Sequence, residues 1–217
     1  MPRTTNNSYD RANKRTFKIR SAAYELITEI PFADITMTMI AERAQVAKGT
    51  IFNYFKNKED IFMAICINGY LHYIERMEAA IEQAQITTKS DLKEFLLAQT
   101  RLQVREYSVV ILITSLRRFS LEVHADREQT LQGRVRIYAT LDRIANKLVQ
   151  AVPDVDVEAV RHAFIIQGSI LNGLLNFANM NIFNNIECPI EMPSVTVDIE
   201  VEATHLFGIY LDDILKM

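Results

Sequence analysis

Gly49, Thr50 and Asn53 lie opposite Ile51 and Phe55 on a short helical stretch that opens at Lys48. At roughly 100° per residue the apolar pair marks the buried ridge, so the small polar set faces solvent, with Phe52 and Tyr54 on its flanks. The chemistry these side chains offer is recognition rather than bond-making. The Asn53 carboxamide suits an adenine edge, the Thr50 hydroxyl and methyl suit mixed contacts, and Gly49 lets a backbone come close. Lys48, at the helix start, reaches a guanine edge or a phosphate. Thr38, Tyr54 and Lys58 carry donors at the margin, where phosphates would lie. The pattern predicts an interface for double-stranded DNA in which Lys48, Thr50 and Asn53 discriminate sequence while Thr38, Tyr54 and Lys58 position the protein.

Groups able to make or break bonds are sparse. Glu202-Ala-Thr-His205 has the Glu-x-x-His spacing of a dimetal carboxylate centre, but such centres need a second copy and further inward glutamates. His72, His124 and His162 stand alone, no Ser or Cys has a recognisable nucleophile elbow, and no phosphate loop is present. The expectation is a protein without catalytic residues, bound metal or cofactor; a helical dimetal enzyme is the alternative. Cys66 and Cys188 lack metal or redox spacing and read as reduced thiols.

The elements that must hold the recognition face are legible around it. Thr36 caps a first short helix whose apolar side is Ile40, Ala41, Ala44 and Val46, and a tight turn leads into the stretch with Ile51 and Phe55. This is a helix-turn-helix. Upstream, Ile19, Ala22, Ala23, Leu26 and Ile27 recur at helical spacing over Ala12 to Ile30, and Pro31 stops that helix. Downstream, Asn57-Lys-Glu-Asp60 resembles a capping box and opens a long fourth helix to about Gln85.

The run Ala22-Ala23, Leu26-Ile27, Phe32, Thr36, Ile40-Ala41, Val46, Lys48-Gly49-Thr50, Phe55 and Lys58-Glu59 resembles the DNA-binding domain of TetR-family transcriptional regulators over roughly residues 15 to 65. Four positions depart from that pattern: Pro31 and Gln45 stand where the family has Gly, Ala47 replaces the capping Ser, and Phe52 replaces Tyr. Gln45 must take a backbone conformation that glycine adopts more cheaply. Ala47 lacks a capping oxygen worth about 1 kcal/mol. The resemblance implies an all-α protein with a three-helix DNA-binding domain over residues 1–60 and a larger helical effector-binding and dimerisation domain over 61–217. It also implies a homodimer formed through the last two helices, and a small-molecule pocket whose occupation tilts the fourth helix. The resulting function is a repressor released from a palindromic operator by a small apolar or amphipathic effector. A DNA-bound dimer controlled by a protein partner is the remaining alternative.

Charge distribution agrees with DNA at one end. The 217-residue chain has a net charge of -3. Residues 1–60 nevertheless hold ten Lys and Arg against seven Asp and Glu, and Arg3, Arg11, Lys14, Arg15, Lys18 and Arg20 make a basic arm that could follow phosphates. No window is apolar enough for a membrane helix and the start lacks a signal peptide's apolar core, so no membrane association and a cytoplasmic location are expected.

The remaining sequence reads as helices. Thr88 with Asp91 caps a fifth. Residues 106–121 contain Val109-Val-Ile-Leu-Ile113, a run that alone could be a buried strand and that periodicity cannot decide; with no partner strand or turn chemistry beside it, it reads as a buried sixth helix. Asp126 with Gln129 caps a seventh, carried by Leu131, Val135, Tyr138, Leu141, Ala145 and Leu148. The eighth, about Val157 to Met180, and the ninth, about Thr196 to Leu215, are apolar on more than one side, as a four-helix dimer interface requires. Asn181 to Pro193 reads as a loop, and Val195 to Val201 alternates like a strand. Gln99, Gln103, Tyr138, Gln167 and Asn172 sit beside apolar stripes and are the candidate effector contacts.

Overall fold

The computed structural model describes residues 8–10, 13–178 and 197–217, and every element among them is helical. The chain divides into two compact units, Met1–Leu71 with Leu116–Arg136, and His72–Ser115 with Ile137–Met217.

In the first unit, α1 spans Lys14–Glu29 because the Asn13 carboxamide accepts from the amides of Arg15 and Thr16 at one end and Pro31 forces Ile30 into extended backbone at the other. After one 3-10 turn, α2 covers Met37–Arg43, capped by Thr36, and α3 covers Lys48–Phe52. Ile19, Ala23, Leu26 and Ile27 of α1, Ile40 and Ala41 of α2, Ile51 of α3, and Phe55 form the core. α4 runs from Lys58 to Gln83. A π-helical turn at Arg117–Leu121 continues into α6, Glu122–His124, and the first turns of α7, Arg127–Ala151, complete the unit.

In the second unit, α5 (Lys89–Ser115), α8 (Val157–Ala178) and α9 (Ile199–Leu215) pack on one another. Ile111, Leu171, Leu175 and Ala203 are a core cluster there, and Lys93–Asp212 and Arg105–Glu200 tie α5 to α9 at its edge.

The expected sixth helix over 106–121 is present: a kink at the non-helical Tyr107 (φ -125°, ψ 20°) sets it off from the first part of α5, and the π turn follows it. Val110, Ile111 and Ile113 are buried, so the apolar run is a buried helix and not a strand. Over Val197 to Val201 the strand-like alternation yields to Asp198, whose carboxylate caps α9 by accepting from the amides of Glu200 and Val201. The predicted loop at 181–193, Cys188, Met180 and Thr196 lie outside the described residues.

Leu131, Val135 and Tyr138 do not face the core: they are 59, 60 and 63% exposed. The buried side of α7 begins instead with Thr130 and Gly133, because α4 comes too close for a larger residue. A methyl group at Gly133 would stand 2.6 Å from Cδ1 and 2.7 Å from Cγ2 of Ile67. Gly133→Ala gains about 1 kcal/mol of helix propensity but overpacks at a cost of roughly 1–3 kcal/mol. Thermal melting is expected to show net destabilisation, and the cost of Gly133→Ala is expected to shrink when it is measured in an Ile67→Ala background. A more stable single variant would contradict the close packing.

Candidate nucleic-acid interface

The turn between α2 and α3 is built on Gln45, which takes φ 53°, the left-handed conformation that a side chain disfavours. Its amide donates to the Glu42 carbonyl, and the Val46 amide donates to that of Ala41. As the sequence predicts, Ala47 provides no side-chain cap to α3. Ile51 and Phe55 are 0 and 1% exposed, which fixes the rotation of the recognition segment. Lys48, Gly49, Phe52 and Asn53 are consequently exposed, and Thr50 and Tyr54 are half-buried. Thr38 is exposed on α2. A methyl group added at Gly49 would meet nothing within 4 Å, so the protein's own packing does not demand glycine there.

The basic residues of α1 divide. Arg15 donates from Nη1 to the Tyr54 hydroxyl at 3.5 Å, which brings the start of α1 beside the recognition segment. Arg20 is buried: its guanidinium donates to the carbonyls of Ser8 and Asp10 and to the Thr16 hydroxyl, anchoring the base of the arm. Arg20 therefore serves the fold rather than a phosphate. Arg3 and Arg11 lie outside the described residues.

Lys58 differs from the other marginal donors. Its ammonium donates to the carbonyls of Phe32 (2.8 Å), Ala33 (3.1 Å) and Ile35 (2.9 Å) and sits 4.5 Å from the centre of the Phe32 ring. Three donors meet three acceptors, so its geometry is that of a brace on the turn between α1 and α2. Lys58→Met, which keeps the stem over Phe32, is expected to lower stability by about 1–3 kcal/mol and to leave the salt dependence of DNA binding unchanged. A salt slope flattened by about one unit would instead assign Lys58 to a phosphate.

A junction behind the recognition segment joins residues far apart in the sequence. The Asp60 carboxylate, in a residue 3% exposed, accepts from the amides of Lys56 and Asp126. Asn57 caps the start of α4 by accepting from the Asp60 amide and donates to the His124 carbonyl, while the Lys56 ammonium pairs with Asp126. Gln129 accepts from the Ser8 hydroxyl and the Tyr9 amide. The end of the recognition segment, the base of the arm and the start of α7 are thus stitched together within one unit.

The candidate effector contacts separate in the second unit. Gln99, Gln103 and Gln167 are buried, Asn172 is half-buried with its amide donating to the Gly168 carbonyl, and Tyr138 lies on the solvent side of α7. Tyr73 and Thr100, which carry no signature in the local sequence, join the buried group. Among the described residues no group of three or more His, Cys, Asp or Glu could hold a metal ion, and no helix is long and apolar enough to cross a membrane.

A buried ridge carrying a short, small and polar outward helix, joined to a larger helical unit, defines a helix-turn-helix transcriptional regulator. Residues 19–65 match the model of the bacterial regulatory proteins of the tetR family. The fatty acid metabolism regulator protein of Bacillus subtilis (strain 168) is 33% identical over 135 residues, 62% of this chain and 68% of that protein. The chain belongs to the TetR family. The fold is shared with FadR from Bacillus subtilis, solved in complex with stearoyl-CoA (TM-score 0.59, 24% identity, 90% of this chain and 97% of that one). It is shared also with the fatty acid degradation regulator FadR from Bacillus halodurans (TM-score 0.56, 18% identity, 95% and 97%).

Proposed function

We propose that this regulator is a cytoplasmic repressor that binds a palindromic operator as a homodimer and leaves it when a long-chain acyl effector occupies the second unit. The exposed, small polar face of α3 over the Ile51–Phe55 ridge carries the reading. Lys48, Thr50 and Asn53 read base edges, Gly49 allows close approach, and Thr38, Phe52 and Tyr54 meet the backbone, joined by Arg15.

Dimerisation rests on α8 and α9. Each buries one side in its own unit and leaves Ile165 and Phe177, or Val201, Leu206 and Ile209, exposed. A methyl group at Gly168 or Gly173 would meet nothing within 4 Å, which leaves room for a second helix to approach. Pairing the two helices with their symmetry mates covers these apolar residues and gives the dimer two recognition helices, one for each half of a palindromic operator.

The acyl effector is supported by the named role of the 33% identical relative and by the ligand held in the FadR structure. α4 and α7 each continue from one unit into the other, a route by which occupation of the second reaches the first. The test is displacement: a duplex selected by the protein is titrated with stearoyl-CoA and with coenzyme A alone. Release by the acyl thioester only is expected. Equal retention with both would remove the acyl effector and leave the operator reading in place.

A further inference from the structure

We propose that Phe52 is a specificity-determining residue that reads the methyl group of a thymine at the outer edge of the major groove. The inference rests on the operator reading above and names the base chemistry that one side chain of the same helix selects. Phe52 is the last residue of α3, and it is 50% exposed while its neighbour Ile51 is fully buried. The rotation that sinks Ile51 and Phe55 therefore holds an aromatic ring out in water beside the exposed Asn53.

Two features set this ring apart from a scattered surface apolar group, which by itself is ordinary. Residues three and four positions apart share a helix face, so Gly49 and Lys48, both exposed, lie one turn before Phe52. A methyl group built on Gly49 meets nothing within 4 Å, atoms of Phe52 included, so the surface beside the ring is an open step. Phe52 also has no polar atom. Thr38, Tyr54 and Arg15 can each give a proton to a phosphate oxygen, and Phe52 cannot, so its contacts on DNA are apolar ones.

The chemistry of the groove narrows the partner. Base pairs present donors and acceptors in the major groove, and the thymine C5-methyl is the apolar projection among them. It stands next to the sugars of its own strand, so a side chain at the flank of α3 touches backbone and methyl together. Packing that methyl against the ring takes apolar surface of both out of water, a gain of about fourfold in affinity for each half-site. Cytosine supplies no methyl there, and a purine would set its acceptors against a ring that has no donor. The Asn53 carboxamide next to Phe52 suits the adenine edge, so the two side chains together favour A·T pairs in each half-site.

Uracil scanning of the operator tests this, because uracil pairs as thymine does and lacks only the methyl. The inverted repeat that the full chain enriches from random duplex DNA is synthesised with uracil for thymine at one symmetry-related pair of positions at a time, and each duplex is titrated at fixed salt. One pair should weaken binding by about fourfold per half-site, hence about fifteenfold for both. Phe52→Ala should bind that uracil duplex and the thymine duplex equally, whereas Phe52→Tyr, which keeps the ring, should still prefer thymine. Thr50→Ser, which removes the other methyl on this face, should leave the effect in place. Should Phe52→Ala bind too weakly to titrate, the parent and Thr50→Ser decide alone. A repeat indifferent to every uracil, an effect that persists in Phe52→Ala, or one that vanishes in Thr50→Ser overturns the proposal and leaves the operator reading standing. No enriched repeat at all overturns both.

Discussion

Ile209→Asp is expected to yield a folded monomer that has lost operator binding. Ile209 is 56% exposed on α9, on the side opposite Ala203, Phe207, Leu211 and Leu215, so the substitution leaves the core of one subunit untouched. In the proposed dimer that position is covered. Two-fold symmetry then introduces the carboxylate twice into an apolar interface, and an unpaired buried charge costs several kcal/mol. A single recognition helix addresses too few base pairs to compensate, and operator affinity should fall by at least two orders of magnitude, on the order of 3 kcal/mol. Light scattering after size exclusion, circular dichroism and operator titration check the three parts of the result. A dimeric variant with parental affinity would remove α9 from the interface.

Asp60→Ala is expected to destabilise the first unit by about 2–5 kcal/mol, because the amides of Lys56 and Asp126 would both lose their acceptor in a buried place. The recognition segment should loosen with it, since Lys56 follows directly on Phe55. Burial holds the Asp60 carboxyl above its ordinary 3.8, against the opposing pull of the Lys56 and Asp126 amides. A raised value means that the folded state takes up the proton more readily than the unfolded one. The contribution of this ionisation is therefore fully present below pH 3.8 and lost as pH rises through the raised value. Urea titrations at pH 4, 5.5 and 7 should show the gap between parent and variant narrowing upward. A gap that widens with pH, or a variant as stable as the parent, would contradict the role given to this carboxylate.

Local features were readable in the chain, and features made by distant segments were not. Ile51 and Phe55 fixed the rotation of α3 because helical periodicity is a property of neighbouring residues, and Thr36, Asn57, Thr88 and Asp126 each cap a helix as their spacing foretells. The Asn57–Asp60 and Asp126–Gln129 pairs were legible as two separate caps. That they bond to one another across some 66 positions follows only from the fold. Lys58 looked like a phosphate contact because a lysine near a recognition helix usually is solvated; nothing nearby in sequence discloses the three carbonyls of the preceding turn that claim it. On α7 the apolar count misled for a similar reason. A helix can bury its small residues, Thr130 and Gly133, when its neighbour is close, and leave Leu131, Val135 and Tyr138 outside.

Selection from random duplex DNA, run in parallel on the parent, Lys48→Ala and Asn53→Ala, addresses the outward face of α3 most directly. The parent should enrich an inverted repeat. Each variant should lose preference at one symmetry-related pair of base positions, by about 1–3 kcal/mol per site, while the rest of the repeat is retained. The same motif from all three proteins, or no enriched motif from the parent, would contradict the assignment of base reading to Lys48 and Asn53.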